Sequence, residues 1–411
     1  MKSFTIPEFY RSPIISVVKN FRKTQDPRKK DFSPTLLDFG SVQFYIARHF
    51  GFCYGVENAI EIAFKALNEN HGKNIYLLSE MIHNPEVNKD LNERGIKFLQ
   101  DTHGKQLISF DVLKKEDVVI IPAFGAPLEI IKVLHEKGIQ TEKYNTTCPF
   151  VERVWNKSEQ IGKTNHTIII HGKYNHEETR AIFSRSSVYG KTIIVKDLEE
   201  AKKLGEYILN SKSQSEFENL FKERCSNGFE IATDLNKVGV INQTTMLASD
   251  TQEIANYFKD VMIKKYGADK INNHFADTRD TLCYATNENQ EATYGLLVTP
   301  ADIAIVVGGY NSSNTSHLVE LCERKFPTYF ISSANDIQNK NTIQHFDYPN
   351  KKNIVTNNFL PINTPLKIVL TSGASCPDSL LDYIIHKINS FYPNTKPLNE
   401  ALNSLQTFSK S

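Results

Sequence analysis

Gly51-Phe52-Cys53-Tyr54-Gly55-Val56 lies between an apolar strand, Phe44 to Ile46, and a helical run, Glu57-Asn58-Ala59-Ile60-Glu61-Ile62-Ala63. Two glycines bracket one cysteine in the turn, which lets the backbone approach a ligand closely. A thiolate at a helix N-terminus is electrostatically favoured, so Cys53 is placed as a nucleophile or a metal ligand. The same strand, turn, helix order recurs along the chain. Asn74–Leu78 leads to Ile82-His83-Asn84-Pro85 and a helix from Glu86 to Arg94 closed by Gly95. Val118–Ile121 leads to Pro122-Ala123-Phe124-Gly125-Ala126-Pro127 and a helix over 128–137, and Asn145-Thr146-Thr147-Cys148-Pro149 precedes a helix from Phe150 to Gly162.

Further along, Thr167–Ile170 delivers His171-Gly172-Lys173-Tyr174-Asn175-His176-Glu177-Glu178-Thr179, and Lys237–Ile241 delivers Asn242-Gln243-Thr244-Thr245 before a helix from Ser249 to Lys265. Thr281-Leu282-Cys283-Tyr284-Ala285-Thr286 opens a helix rich in Gln and Glu. Asp302–Val307 runs into Gly308-Gly309-Tyr310-Asn311-Ser312-Ser313-Asn314, and Lys367–Leu370 into Thr371-Ser372-Gly373-Ala374-Ser375-Cys376-Pro377. Continuous β-branched strands alternating with helices predict an α/β fold with parallel sheets covered on both faces. Ligands of such sheets bind beyond the carboxyl ends of the strands, where all these polar loops fall. Cys53 and Cys148 are 95 residues apart and Cys148 and Cys283 are 135 apart, or roughly a hundred once a Glu-, Lys- and Ser-rich stretch at 200–237 is set aside as an insertion. The spacing predicts three similar α/β units, over 43–148, 149–280 and 281–378, each giving one cysteine to a shared centre. An extension over 1–42, without clear period, and a C-terminal helix and tail over 379–411 complete the partition.

The composition is that of an ordinary globular protein, 40% hydrophobic and 23% charged, with a formal net charge of +1 that argues against nucleic acid as the main partner. Six scattered cysteines do not form a secreted disulfide framework. No apolar run approaches a membrane span, and the first 25 residues resemble neither a signal nor a transit peptide, so the expected compartment is a reducing cytoplasm. The basic run from Lys19-Asn20-Phe21-Arg22-Lys23 to Arg28-Lys29-Lys30 reads as a solvated arm, or alternatively as one that greets an acidic electron donor.

Three thiolates from three turns suit a soft metal centre, and the absence of paired CxxC spacing argues against closed structural zinc. Three cysteines on an iron–sulfur cluster leave one iron open as a Lewis acid. Cys225, in the insertion, and Cys322, in a predicted helix, are expected to be bystanders, and Cys376 is expected to lie outside the centre. His83, His176, Ser312, Ser313, Asn314 and Ser375 offer hydrogen-bond donors for an anion, although singly each is also an ordinary cap or turn residue. Glu178 is the carboxylate in the set able to shuttle protons. Neither GxGxxG after a strand nor GxxxxGK[ST] occurs, so the usual dinucleotide and nucleoside triphosphate cradles are missing.

Gly-Phe-Cys-Tyr-Gly-Val (51–56), Ile-His-Asn-Pro (82–85), Thr-Thr-Cys-Pro (146–149), His-Gly-Lys-Tyr-Asn-His-Glu-Glu-Thr (171–179), Asn-Gln-Thr-Thr (242–245), Cys-Tyr-Ala-Thr (283–286), Asn-Ser-Ser-Asn (311–314) and Ser-Gly-Ala-Ser (372–375) together resemble the 4-hydroxy-3-methylbut-2-enyl diphosphate reductase (LytB) family, in its plant and cyanobacterial long form. The resemblance implies a cloverleaf of three α/β domains around one [4Fe-4S] cluster per subunit, held by Cys53, Cys148 and Cys283. It implies the last step of the non-mevalonate isoprenoid pathway, reductive dehydroxylation of an allylic diphosphate to isopentenyl and dimethylallyl diphosphate. Glu178 would donate the proton and Thr244 would orient the substrate hydroxyl. His83, His176, Ser312, Ser313, Asn314 and Ser375 would grip the diphosphate. An electron donor such as ferredoxin or flavodoxin, a monomer or homodimer, and a cytoplasmic location, or a plastid-type organelle for the plant-like branch, complete the expectation. Phe124 stands where shorter bacterial members carry a His, and Cys376 replaces a small or hydroxyl residue. Two other readings remain at this point: a three-cysteine [4Fe-4S] lyase similar to quinolinate synthase, which needs no external electrons, and an iron–sulfur redox sensor, which needs no polar loops.

Overall fold

The strand Val42–Ile46 that leads into the Cys53 turn is an inner strand of a six-stranded sheet. In this computed structural model, which describes residues 4–210, 213–276 and 281–408, the sheet runs Thr328–Ile331, Ile303–Val307, Leu366–Ser372, Val42–Ile46, Thr35–Asp38, Gln406–Thr407. Its first four strands are parallel, and the last two add antiparallel. Every residue of Ile303–Val307 is buried, as is expected of a strand covered on both faces. Leu370 pairs with Ile46 and Ser372 with Val307. Matched registers therefore bring the loops after these strands, carrying Cys53, Ser312 and Ser375, out at one edge of one sheet. Residues 4–57, 82–89 and 284–408 form this compact unit, around a core that includes Phe44, Ile305, Leu318, Val369 and Ile384.

The second compact unit, residues 58–81 and 90–283, holds two three-stranded parallel sheets. One is ordered Ile96–Phe98, Ile75–Leu77, Val118–Ile120, and the other Thr192–Val195, Thr167–His171, Val238–Asn242. The chain is thus α/β with parallel-rich sheets. Residues 277–280, where the second sequence-predicted segment closes, lie outside the described residues.

Two stretches differ from their sequence reading. The extension 1–42 has a helical period after all: Pro13–Gln25 is a helix capped by Ser12, whose hydroxyl accepts the N–H of Ile15 at 2.9 Å, with Pro13 in its first turn. Ile14, Ile15, Val18 and Arg22 form its buried stripe. The basic run is therefore only partly a solvated arm, since Lys19 pairs with Asp378 at 2.8 Å and buried Arg22 with Asp31 at 2.8 Å. The stretch 200–237 is packed: Phe217, Phe221, Phe229 and Leu235 are buried with Ile193 and Val195, and the rings of Phe217 and Phe229 stack at 5.2 Å. Lys202, Lys203 and Glu206 of the helix Leu198–Leu209 and Glu216 and Glu218 of the helix Gln214–Phe221 are exposed, whereas Glu200 is buried and pairs with Arg224 at 2.6 Å.

Candidate active site

In the first unit the Cys53 turn is built for close approach. Gly51 has φ +76°, and a Cβ on it would collide with the Asp378 carboxylate. The Cys53 carbonyl accepts the N–H of Glu57 at 3.0 Å, which places the thiol at the N-terminus of the helix Tyr54–Glu69. Its own N–H donates to the Ala374 carbonyl at 3.3 Å, and the Ala374 N–H donates to Asn314 Oδ1 at 2.8 Å. The same oxygen accepts from Asn289 Nδ2 at 3.4 Å, so the Asn314 amide is oriented with its NH2 as donor. That Nδ2 is buried and has no hydrogen-bond partner among the described residues. A buried donor in this state costs about 1–3 kcal/mol, and an anionic ligand would satisfy it.

Ser312 caps the helix Ser313–Glu323, accepting from Thr315 N at 3.2 Å and Thr315 Oγ1 at 3.0 Å. Both lone pairs of its hydroxyl are used, so its remaining capacity is to donate. Ser375 instead donates to the His83 carbonyl at 3.0 Å, fastening the His83 loop to the loop after Leu366–Ser372. A Cβ on Gly309 would strike that same carbonyl, so three loops close on one another here. His83, Ser312, Ser313, Asn314 and Ser375 are all buried.

In the second unit His176 caps the helix Glu177–Tyr189, its Nδ1 accepting the N–H of Glu178 at 3.2 Å. This bond assigns the neutral ring's proton to Nε2, which becomes a donor. Phe124 meets the His176 ring edge-on, with centroids 5.6 Å apart, so it packs against a predicted anion donor rather than supplying one. Glu178 is 1% exposed, and its Oε1 accepts the N–H of Thr244 at 2.5 Å. The neighbouring Gln243 holds both loops: its Oε1 accepts from Lys173 N at 3.2 Å and Thr179 Oγ1 at 3.0 Å, and its Nε2 donates to Thr245 Oγ1 at 2.7 Å. Nothing local in the sequence marks Gln243 for this role, which only the tertiary contacts create. Thr281 donates to the Asn242 side chain, tying the approach to Cys283 to the end of Val238–Asn242.

The six cysteines are all free thiols. Cys148 is the N-cap of the helix Pro149–Lys163, and Cys283 directly precedes the helix Tyr284–Leu296. With Cys53 they form a set of three thiols at helix N-termini, where thiolates are stabilised, and this donor chemistry fits a soft metal cluster. Among the described residues, neither unit alone assembles three His, Cys, Asp or Glu side chains as a metal site. The other cysteines are of a different kind. Burial pushes the Cys322 thiol up to about 12, and raises the thiols of Cys376 and Cys225 as well. Cys376 lies in the first unit's apolar core, which gives its replacement of a small residue a packing reason.

His49, near Cys53, lines a cleft of ≈ 350 Å3 with Lys23, Lys29, Arg48, Tyr54, Glu57, Tyr284 and Glu288. Burial, then the Arg48 and Lys29 charges, lowers its pKa to about 4. An unfolded His protonates near 6.5, so the unfolded chain binds the extra proton between about pH 6.5 and 4 and stability falls as pH drops through that window. Glu57 and Glu288, raised by burial, act in the opposite sense. Comparing urea midpoints of the parent and His49→Gln from pH 7 to 4.5 isolates the His49 part; the variant is expected to lose less stability on acidification.

Residues 44–389 match the family described as LytB protein. The 4-hydroxy-3-methylbut-2-enyl diphosphate reductase of Prochlorococcus marinus (strain MIT 9301) is 40% identical over 385 residues, 93% of this chain and 91% of its own. That of Thermosynechococcus vestitus is 42% identical over 351 residues, 85% of each. Among solved structures, the E-1-hydroxy-2-methyl-but-2-enyl-4-diphosphate reductase from Plasmodium falciparum superposes with a TM-score of 0.62 at 24% identity, covering 87% of this chain and 91% of that one. A structure of (E)-4-hydroxy-3-methyl-but-2-enyl diphosphate reductase gives 0.52 at 24% identity, over 84% and 99%. The fold is that of these enzymes, and by sequence the chain belongs to the LytB family.

Proposed function

We propose that the chain is a 4-hydroxy-3-methylbut-2-enyl diphosphate reductase, converting the allylic alcohol diphosphate, two electrons and two protons into isopentenyl or dimethylallyl diphosphate and water. What carries the reading is that three motif cysteines each stand at the start of a helix in a chain of this family. Cys53, Cys148 and Cys283 would hold a [4Fe-4S] cluster, which when bound supplies electrons and a Lewis-acidic iron for the C–O bond. One-electron protein donors such as ferredoxin or flavodoxin would supply the two electrons.

Around that chemistry the chain's own residues bind, orient and protonate. His83, His176, Ser312, Ser313 and Asn314 are assigned to the diphosphate, through hydrogen bonds strengthened by its charge. Ser375 acts here by holding the His83 loop, to which it already donates its proton. The Thr244 N–H holds Glu178 Oε1, and the Glu178 carboxyl is assigned to carry the proton that joins the leaving hydroxyl. The Thr244 hydroxyl is assigned to orienting the substrate's hydroxyl.

Asn314→Asp keeps the oxygen that Ala374 and Asn289 bond and replaces the buried NH2 with a second oxygen that repels phosphate. It is expected to raise KM roughly 10- to 100-fold, the loss of one charge-assisted hydrogen bond; an unaltered KM removes Asn314 from the diphosphate site. The reading as a whole is tested by anaerobic purification, iron and sulfide analysis, and viologen oxidation on adding the allylic diphosphate. About four irons per chain with substrate-dependent electron uptake supports it. A cluster without electron uptake, or protein that holds only zinc, overturns it.

A further inference from the structure

The cleft beside Cys53 is lined by charges of both signs, Asp26, Glu57 and Glu288 among them, but the cations at its outer rim stand without an ion-pair partner among the described residues. Its inner cations are paired, Lys19 with Asp378 at 2.8 Å and Arg48 with Asp26 at 3.6 Å. The outer ones are not: Lys23, in the last turn of the Pro13–Gln25 helix, and Arg28, Lys29 and Lys30, on the segment that follows it, are exposed and form no ion pair among the described residues. Lys23 and Lys29 line the cleft directly. Its floor is aromatic and touches the chemistry, since Phe50, Phe52 and Tyr54 belong to the Cys53 turn and Tyr284 directly follows Cys283. His49 presents a second buried feature there, an Nε2 without a hydrogen-bond partner.

We propose that this cleft is the docking surface for an acidic one-electron carrier protein, which the Lys23–Lys30 rim steers onto the face backed by Cys53. The inference rests on the reductase reading, which requires two electrons per turnover. Each docking oxidises one carrier and delivers one electron, so two dockings complete one reduction. A ring of unpaired cations raises the local concentration of an acidic partner and its association rate, in a way that salt screens over about 8–10 Å. The held Pro13–Gln25 helix gives that rim a fixed position on its unit, which a free arm would lack.

The test uses the full anaerobic chain and a reduced acidic [2Fe-2S] ferredoxin as probe. A triple reversal, Lys23→Glu with Arg28→Glu and Lys29→Glu, changes only exposed side chains. Its ferredoxin Kd is expected to rise about tenfold or more at low salt, and the difference from the parent is expected to vanish at high salt. Turnover driven by a zwitterionic viologen is expected to stay within about twofold, because that small reductant needs no docking. A ferredoxin Kd indifferent to the reversal overturns the inference, and so does an equal loss of viologen-driven turnover, which would place the segment in the chemistry itself. Salt-sensitive, reversal-sensitive ferredoxin binding by a parent chain that cannot reduce the allylic diphosphate would overturn the reductase reading while the docking surface stands.

Discussion

Glu178→Gln is expected to lower kcat by about 10²–10⁴-fold, the usual contribution of a positioned general acid, while KM, iron content and the visible spectrum stay near those of the parent. The substitution is close to isosteric, and the amide oxygen of Gln can still accept the Thr244 N–H that now meets Glu178 Oε1 at 2.5 Å. What disappears is an acidic proton in a side chain that is only 1% exposed. Solvent reaches so buried a position poorly, so water is a weak substitute donor. The split between kcat and KM is the informative readout: a merely structural role would also disturb binding or cluster content. Turnover equal to that of the parent would remove Glu178 from the proton path. Gln243 enters the same argument as a positioning residue, because it bonds the loops on both sides of Glu178 and Thr244 without meeting the carboxylate in any of these contacts.

The loops were legible because strand ends, glycines and caps leave strong local marks. The strand Asp302–Val307 of the sequence reading is Ile303–Val307, and the helix after Cys148 begins at Pro149, where a proline in the first turn predicts it. The helical setting of Cys322 was also legible, since it falls inside the helix Ser313–Glu323. Other features have no local mark. The Ala374 backbone, whose carbonyl accepts from Cys53 and whose N–H donates to Asn314, joins residues more than two hundred positions apart, and only the matched ends of parallel strands create this bridge. Ser375 reads as an anion donor from its loop, whereas its partner, the His83 carbonyl, is set by tertiary packing. The helix Pro13–Gln25 did carry a signal, Ser12-Pro13 followed by Ile14, Ile15 and Val18, but the basic residues between them obscured its apolar stripe.

That helix is held by an unusual anchor, and Arg22→Ala is expected to destabilise the chain by about 2–3 kcal/mol, toward the lower side of what breaking a buried ion pair costs. Arg22 is 1% exposed, and its guanidinium donates to the Asp31 carboxylate at 2.8 Å, to the Asp31 carbonyl at 2.9 Å and to the Thr407 hydroxyl. Thr407 pairs with Thr35, and Thr35 in turn pairs with Ile46, three residues before His49. One side chain thus joins the N-terminal helix, the short C-terminal strand and the sheet that carries the Cys53 turn. The half-exposed Asp31 can regain water when the guanidinium is removed, which moderates the loss; the Asp31 carbonyl, Thr407 and the emptied volume do not recover so readily. Arg22→Lys keeps the charge and loses the fork that bonds three acceptors, so it should recover only part of the stability. Urea unfolding in the presence of intact cluster measures both. If the segment were a solvated arm, neither substitution would move the midpoint, and the rim formed by Lys23–Lys30 would have no fixed place on the protein.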